Sequence, residues 1–70
     1  MAKYYVNDKT HTNPNNDHEV HTSTCHVLPS AANRTYLGEF TNCHDAVRQA
    51  KTIYTKVDGC IHCCKACHNG

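Results

Sequence analysis

Four of the six cysteines and two of the seven histidines in this 70-residue chain lie in its last stretch, VDGCIHCCKACHNG. Two C-x-x-C pairs abut there, Cys60/Cys63 and Cys64/Cys67. Each pair suits a tight turn whose two thiolates converge on one tetrahedral ion, with Zn–S near ~2.3 Å. The same four positions follow i, i+3, i+4 and i+7 spacing, which also aligns them on one face of a short helix. Adjacent Cys63 and Cys64 point in different directions in most backbone conformations. One ion is therefore not expected to take all four tail cysteines, and its remaining ligands should come from elsewhere.

The best second source is His21-x3-Cys25. His21 and Ser23 share one face of a predicted strand, and Cys25 follows at its end. A strand end supplying His21 and Cys25, completed by Cys60 and Cys63, makes a workable tetrahedral site for one Zn²⁺. Cys64 and Cys67 are reserve ligands. Metal coordination lowers the cysteine pKa, since free thiols near ~8.5 are mostly protonated at neutral pH.

Other chemistries compete for the same residues. Cys64-Lys65-Ala66-Cys67-His68 matches C-x-x-C-H, the c-type haem attachment motif. Only Asn69 and Gly70 follow it, little chain to cover a porphyrin. Either C-x-x-C can cycle as a thiol–disulfide pair, although no βαβ pattern of the thioredoxin type surrounds it. A secreted disulfide scaffold is the remaining alternative. No carboxylate pair, nucleophile–base pair or phosphate-cradling glycine loop is recognisable, so no catalysis is expected of the zinc module itself.

Several residues have plainer readings. Cys43 falls on the apolar face of a predicted helix and is expected as a core thiol. His11, His18, His26 and His44 are expected to be solvated, and His62 to lie beside ligands without ligating. Tyr4, Tyr5, Tyr36 and Tyr54 are expected to complete the core. Arg48, Lys51 and Lys56 read as a solvated basic edge.

The elements that must position the ligands are short. Lys3-Tyr4-Tyr5-Val6 is β-prone and ends in the turn-like Asn7-Asp8-Lys9. Residues 12–17 (TNPNND) form a polar loop. Residues 19–24 (EVHTST) are a second strand, with Val20, Thr22 and Thr24 on one face and His21 and Ser23 on the other. Residues 35–40 (TYLGEF) are a third. Ala46, Val47, Ala50, Ile53, Tyr54 and Val57 repeat at helical spacing, predicting one amphipathic helix over about 42–57. Asn42 can cap it, Asp45 suits its positive end, and Asp58-Gly59 reads as its stop signal. The expected fold is therefore α+β: two or three short antiparallel strands packed on that helix, beside a cysteine-rich tail. It forms a single domain over residues 1–70.

Composition explains why a staple is needed, either disulfides or a metal. The strong core formers number ten (Val6, Val20, Val27, Leu28, Leu37, Phe40, Val47, Ile53, Val57 and Ile61). That is below the roughly 20% expected of a self-sufficient domain. A chain this short buries only ~60% of the surface that its unfolded state exposes, so a staple is required. The N-terminal MAKYYVNDKT lacks the apolar run of a secretory signal, and no stretch approaches a membrane span of ~18 apolar residues. A reducing cytoplasmic setting is expected, where structural disulfides are rare. The formal charge of +1 falls to 0 with three thiolates, a neutral histidine and a divalent ion, and to −1 with four thiolates. Neither value drives strong non-specific DNA binding by counterion release.

The order of these features resembles the Ada-type zinc-binding domain and related small metal-binding modules. The matching elements are Tyr5-Val6-Asn7, His21-x3-Cys25, Asn33-Arg34, Phe40 with Asp45-Ala46, and Gly59-Cys60-x2-Cys63, spanning residues 5–63. The resemblance implies a small strand ribbon on a helix, with ligands from the loop after a strand and from a C-x-x-C after the helix. It thereby implies Cys25, Cys60 and Cys63 as ligands, with His21 the natural fourth. Only Cys25 occupies the first ligand loop, where the Ada repair domain has two cysteines, so the resemblance does not extend to alkyl transfer. The distance from Ala46 to Cys60 exceeds the family pattern, implying a longer helix or an inserted turn. Cys64, Cys67 and His68 have no counterpart. The expected function is a monomeric structural-zinc module that docks on a protein or nucleic acid; the alternative is a thiol redox or c-type haem protein.

Overall fold

A computed structural model of the chain describes residues 1–9 and 17–68. The loop expected at 12–17 lies outside the described residues except for Asp17, and His11 lies outside them entirely.

Among the described residues four strands form one mixed sheet in the order β3-β1-β2-β4. They are β1 (Ala2–Asn7), β2 (His18–Thr22), β3 (Arg34–Phe40) and β4 (Val57–Gly59). β1 pairs antiparallel with both β2 and β3, and β4 adds to β2 in parallel. Tyr4 and Val6 of β1 stand opposite Thr22 and Val20 of β2, so these four share one face. The helix α1 (Cys43–Ala50) covers that face, closing a core of Tyr4, Val6, Val20, Leu37, Ala46 and Ala50. His21 pairs with Tyr5 on the opposite face.

β3 carries a bulge. Tyr4 faces Gly38 while Tyr5 faces Tyr36, leaving Leu37 as the extra residue, which turns into the core. Gly38 has φ +124°, a conformation that costs a residue with a Cβ but not glycine.

The helix is eight residues long, not the sixteen expected over 42–57. Its start is as predicted: Asn42 Oδ1 accepts from the Asp45 N–H at 3.0 Å. Its end comes early because Thr52, Ile53, Tyr54 and Thr55 are β-branched or aromatic, and such side chains lose rotamer freedom against a preceding turn. Tyr54 is also held elsewhere, its hydroxyl donating to Asp8 Oδ1 at 2.8 Å and its ring stacked on His18 at 3.6 Å. The chain makes an inserted turn and returns as β4, so Val57-Asp58-Gly59 is a strand and not a helix end. That short strand makes the sheet four-stranded and mixed where two or three antiparallel strands were expected. β4 ends in Gly59, where an added Cβ would lie 2.7 Å from Cys67 Cβ and 2.8 Å from the Cys64 carbonyl oxygen.

Some packing expectations are corrected. Tyr4 is buried as expected, but Tyr36 is 51% exposed and meets Tyr5 with tilted rings on the face away from α1, with the Arg34 guanidinium over the Tyr5 ring. Val27, Ile53 and Ile61 are also exposed. His18, expected in solvent, instead sits in β2, with Nδ1 2.9 Å from the Asn7 carbonyl oxygen. Cys43 is not a free core thiol: it forms a disulfide with Cys67, joining the first residue of α1 to a short 3-10 turn at Lys65–Cys67. Among the described residues no helix is long and apolar enough to cross a membrane.

Candidate metal centre

His21, Cys25, Cys60 and Cys63 come together, each offering a ligand atom within 4.8 Å of the other three. Two segments build the cluster. β2 supplies His21 on the face away from α1, and the turn after Thr22 brings Cys25 beneath it, with the Cys25 N–H donating to the Thr22 carbonyl at 3.1 Å. On the other side, the Cys60 N–H donates to the Val20 carbonyl at 3.0 Å, continuing the β4–β2 pairing directly into the ligand turn. The Cys64 N–H then closes that turn on the Cys60 carbonyl at 2.8 Å, so Cys63 swings back toward β2.

Backbone N–H groups point at the sulfurs. Thr22 donates to Cys63 Sγ at 3.3 Å and His62 to Cys60 Sγ at 3.4 Å. The Val27 N–H does the same for Cys25. Such donors favour thiolate, the form that binds metals. Burial is the larger influence and pushes the Cys25 and Cys60 thiols up. Cys25 Sγ and Cys60 Sγ stand 3.8 Å apart, and both are free thiols.

His21 is the most demanding residue of the group. It is 1% exposed, and among the described residues neither ring nitrogen has a hydrogen-bond partner. Glu19 Oε1 stands 3.9 Å from Nε2, beyond hydrogen-bond reach. Burial, with the nearby His62 charge adding to it, pushes the imidazole pKa down to about 4, so the ring is neutral at pH 7. A buried imidazole with two idle nitrogens incurs an uncompensated desolvation cost. A metal ion bound by one nitrogen would offset it. The donor set, one imidazole and three thiols, therefore fits a metal ion.

The reserve ligands are not part of this cluster. Cys64 is 2% exposed and points to the core; its Sγ lies 3.9 Å from Cys63 Sγ but outside the four-residue group. Burial first, then the Cys63 charge, pushes its pKa up to about 12. Cys67 is paired with Cys43. Neither sulfur of the C-x-x-C-H motif stands open, and His68 Nδ1 is taken by the Gly59 carbonyl at 3.0 Å.

Two groupings escaped the sequence reading. His26 and His62, one from each ligand turn, meet edge to face at 4.9 Å, both exposed. Cys43, His44 and Cys67 form a second cluster whose ligand atoms also lie within 4.8 Å of one another. Cys43 and Cys67 stand 24 positions apart, and no local spacing signals that pairing. No protein-family model, curated protein or solved structure matches the chain.

Proposed function

We propose that the chain is a structural zinc module, with His21, Cys25, Cys60 and Cys63 closing on one Zn²⁺. The observation that carries this reading is the buried His21 imidazole, without a hydrogen-bond partner among the described residues, set among three cysteine sulfurs. A tetrahedral ion with Zn–S near 2.3 Å spaces its sulfurs by about 3.8 Å, and Cys25 and Cys60 already have that spacing. Three thiolates and a neutral imidazole around a divalent ion leave the site with one net negative charge, which the sulfur-directed N–H groups stabilise. Four protein ligands fill the coordination shell, the arrangement of structural rather than catalytic zinc. No catalysis is assigned to it. A reducing compartment such as the cytoplasm suits the unpaired thiols that this needs.

The module's role is to dock on a protein or nucleic acid, in keeping with its resemblance to Ada-type zinc-binding domains. Support comes from what the two ligand turns expose: Val27 and Ile61, each nearly half exposed, and the His26/His62 ring pair. Zinc would hold these two turns together as one surface. Metal content by native mass spectrometry, with and without chelator, tests the reading. One zinc per chain while the Cys43–Cys67 disulfide is intact, with loss of near-UV circular dichroism on chelation, is the expected result. A fully folded protein with no affinity for zinc would sink it.

A further inference from the structure

We propose that Cys43, His44 and Cys67 form a second, redox-gated site for a zinc-type divalent cation, closed by the Cys43–Cys67 disulfide and opened by its reduction. The proposal is independent of the His21 cluster: it uses other residues, on the side of the sheet that α1 covers.

The geometry carries it. Cys43 and His44 are the first two residues of α1, and Cys67 ends the 3-10 turn at Lys65–Cys67 packed against them. One imidazole nitrogen and the two sulfurs all lie within 4.8 Å of one another. The cysteines are nearly buried, at 9% and 7% exposed, whereas His44 is exposed. His44 and Cys67 line an open hollow with Val47, Arg48, Lys51 and Ala66, so an ion can reach them from solvent. In the disulfide neither sulfur can bind a cation. Cleavage turns the bonded sulfurs into a non-bonded pair, which must move apart toward the roughly 3.8 Å spacing that two sulfurs keep around a tetrahedral ion. Both thiols are then held near the imidazole by the helix and the turn. Two thiolates and a neutral imidazole cancel the charge of a divalent ion, and the fourth position opens on the hollow, where water fills it.

The chemistry balances with an external dithiol. Its two sulfurs supply two electrons and two protons; the Cys43–Cys67 bond breaks, two thiols form, and the dithiol leaves as a disulfide. Binding of the cation then releases the two thiol protons. The ion restores the link between α1 and the tail that the disulfide provided. Oxidation reverses the exchange and expels the ion.

The test is native mass spectrometry of zinc-loaded full-length protein, oxidised and after anaerobic reduction with a phosphine, supplemented with Co²⁺ titration. Reduction should raise the bound metal by one ion and add thiolate-to-cobalt absorption. His44→Ala, at an exposed position that leaves the disulfide intact, should weaken uptake of that extra ion by more than about tenfold, because loss of a ligand should exceed the ~10–100-fold range of outer-shell changes at its lower end. The first ion should be unaffected. One ion in the reduced form and none in the oxidised form would support this site while overturning the His21 reading. Equal metal content in both redox states, or undiminished uptake by His44→Ala, would overturn the proposal.

Discussion

The two faces of the sheet use the same residue type in opposite ways. On the face away from α1, Cys25, Cys60 and Cys63 remain free thiols around a buried imidazole. Under α1, Cys43 and Cys67 are covalently joined and the neighbouring Cys64 is packed in the core. The tail from Cys60 to Cys67 crosses between them, so one C-x-x-C pair serves each side. The difference lies in what each face lacks. Among the described residues no helix covers the outer face, and its buried polar ring needs a partner. The inner face has an apolar layer but a short helix, whose first turn must be tied to the tail.

The largest expected effect is on the outer face. Cys25→Ser removes one of four proposed ligands, and structural zinc supplies an apparent ~10–16 kcal/mol of folding free energy at neutral pH. The variant should lose its zinc and its cooperative thermal transition, read by mass spectrometry and circular dichroism. A Cys25→Ser protein that keeps stoichiometric zinc would remove Cys25 from the site and erase the contrast between the faces.

On the inner face Cys43→Ser should cost less. Opening a loop closed across 24 positions forfeits about 2–4 kcal/mol under oxidising conditions. The measurement is denaturant unfolding, with and without reductant, of protein loaded with one zinc and then transferred to buffer with no free metal. Wild type should lose stability on reduction in metal-free buffer, and Cys43→Ser should be indifferent to it. If both respond alike, the disulfide is not the staple of that side.

Gly59→Ala would couple the two faces. Its Cβ would press on Cys67 and on the Cys64 carbonyl, while Cys60 follows directly in sequence. Overpacking of this kind costs about 1–3 kcal/mol. Stability should fall in both redox states, with zinc retained but bound more weakly. An unchanged zinc affinity would mean that the faces are mechanically separate.

How much of this was legible in the sequence follows from the range of the interactions. β1 and β3 were readable as short β-prone runs, and β2 from the alternation of Val20 and Thr22 with His21 and Ser23, all local signals. The start of α1 was readable from Asn42 and Asp45. Its end was not, because Ile53 and Tyr54 keep helical spacing, whereas the bond from Tyr54 to Asp8, 46 positions away, takes the ring to the sheet's far end. β4 was missed because three residues ending in Gly59 carry no period. The gathering of His21 and Cys25 with a tail C-x-x-C pair was anticipated, but the local spacing left open whether that pair was Cys60/Cys63, as found, or Cys64/Cys67. The Cys43–Cys67 pairing was not, since it depends on where the shortened helix starts relative to the tail.

Cys64 gives the smallest effect and the finest test, because it sits at the border between the two faces. Its sulfur is 3.9 Å from Cys63 Sγ, near enough to substitute as a ligand if the tail turned slightly. Its surroundings argue otherwise: it is packed with the core under α1, where burial favours the neutral thiol. Cys64→Ala removes one buried sulfur and leaves a small cavity, costing about 1 kcal/mol by the scale of small core truncations. Zinc stoichiometry and affinity should equal those of wild type, and the disulfide should form as before. If zinc affinity instead falls as far as it does in Cys63→Ala, the ion lies closer to the core than the His21 cluster implies. The division of the tail, Cys60 and Cys63 outward, Cys64 and Cys67 inward, would then have to be redrawn around Cys64.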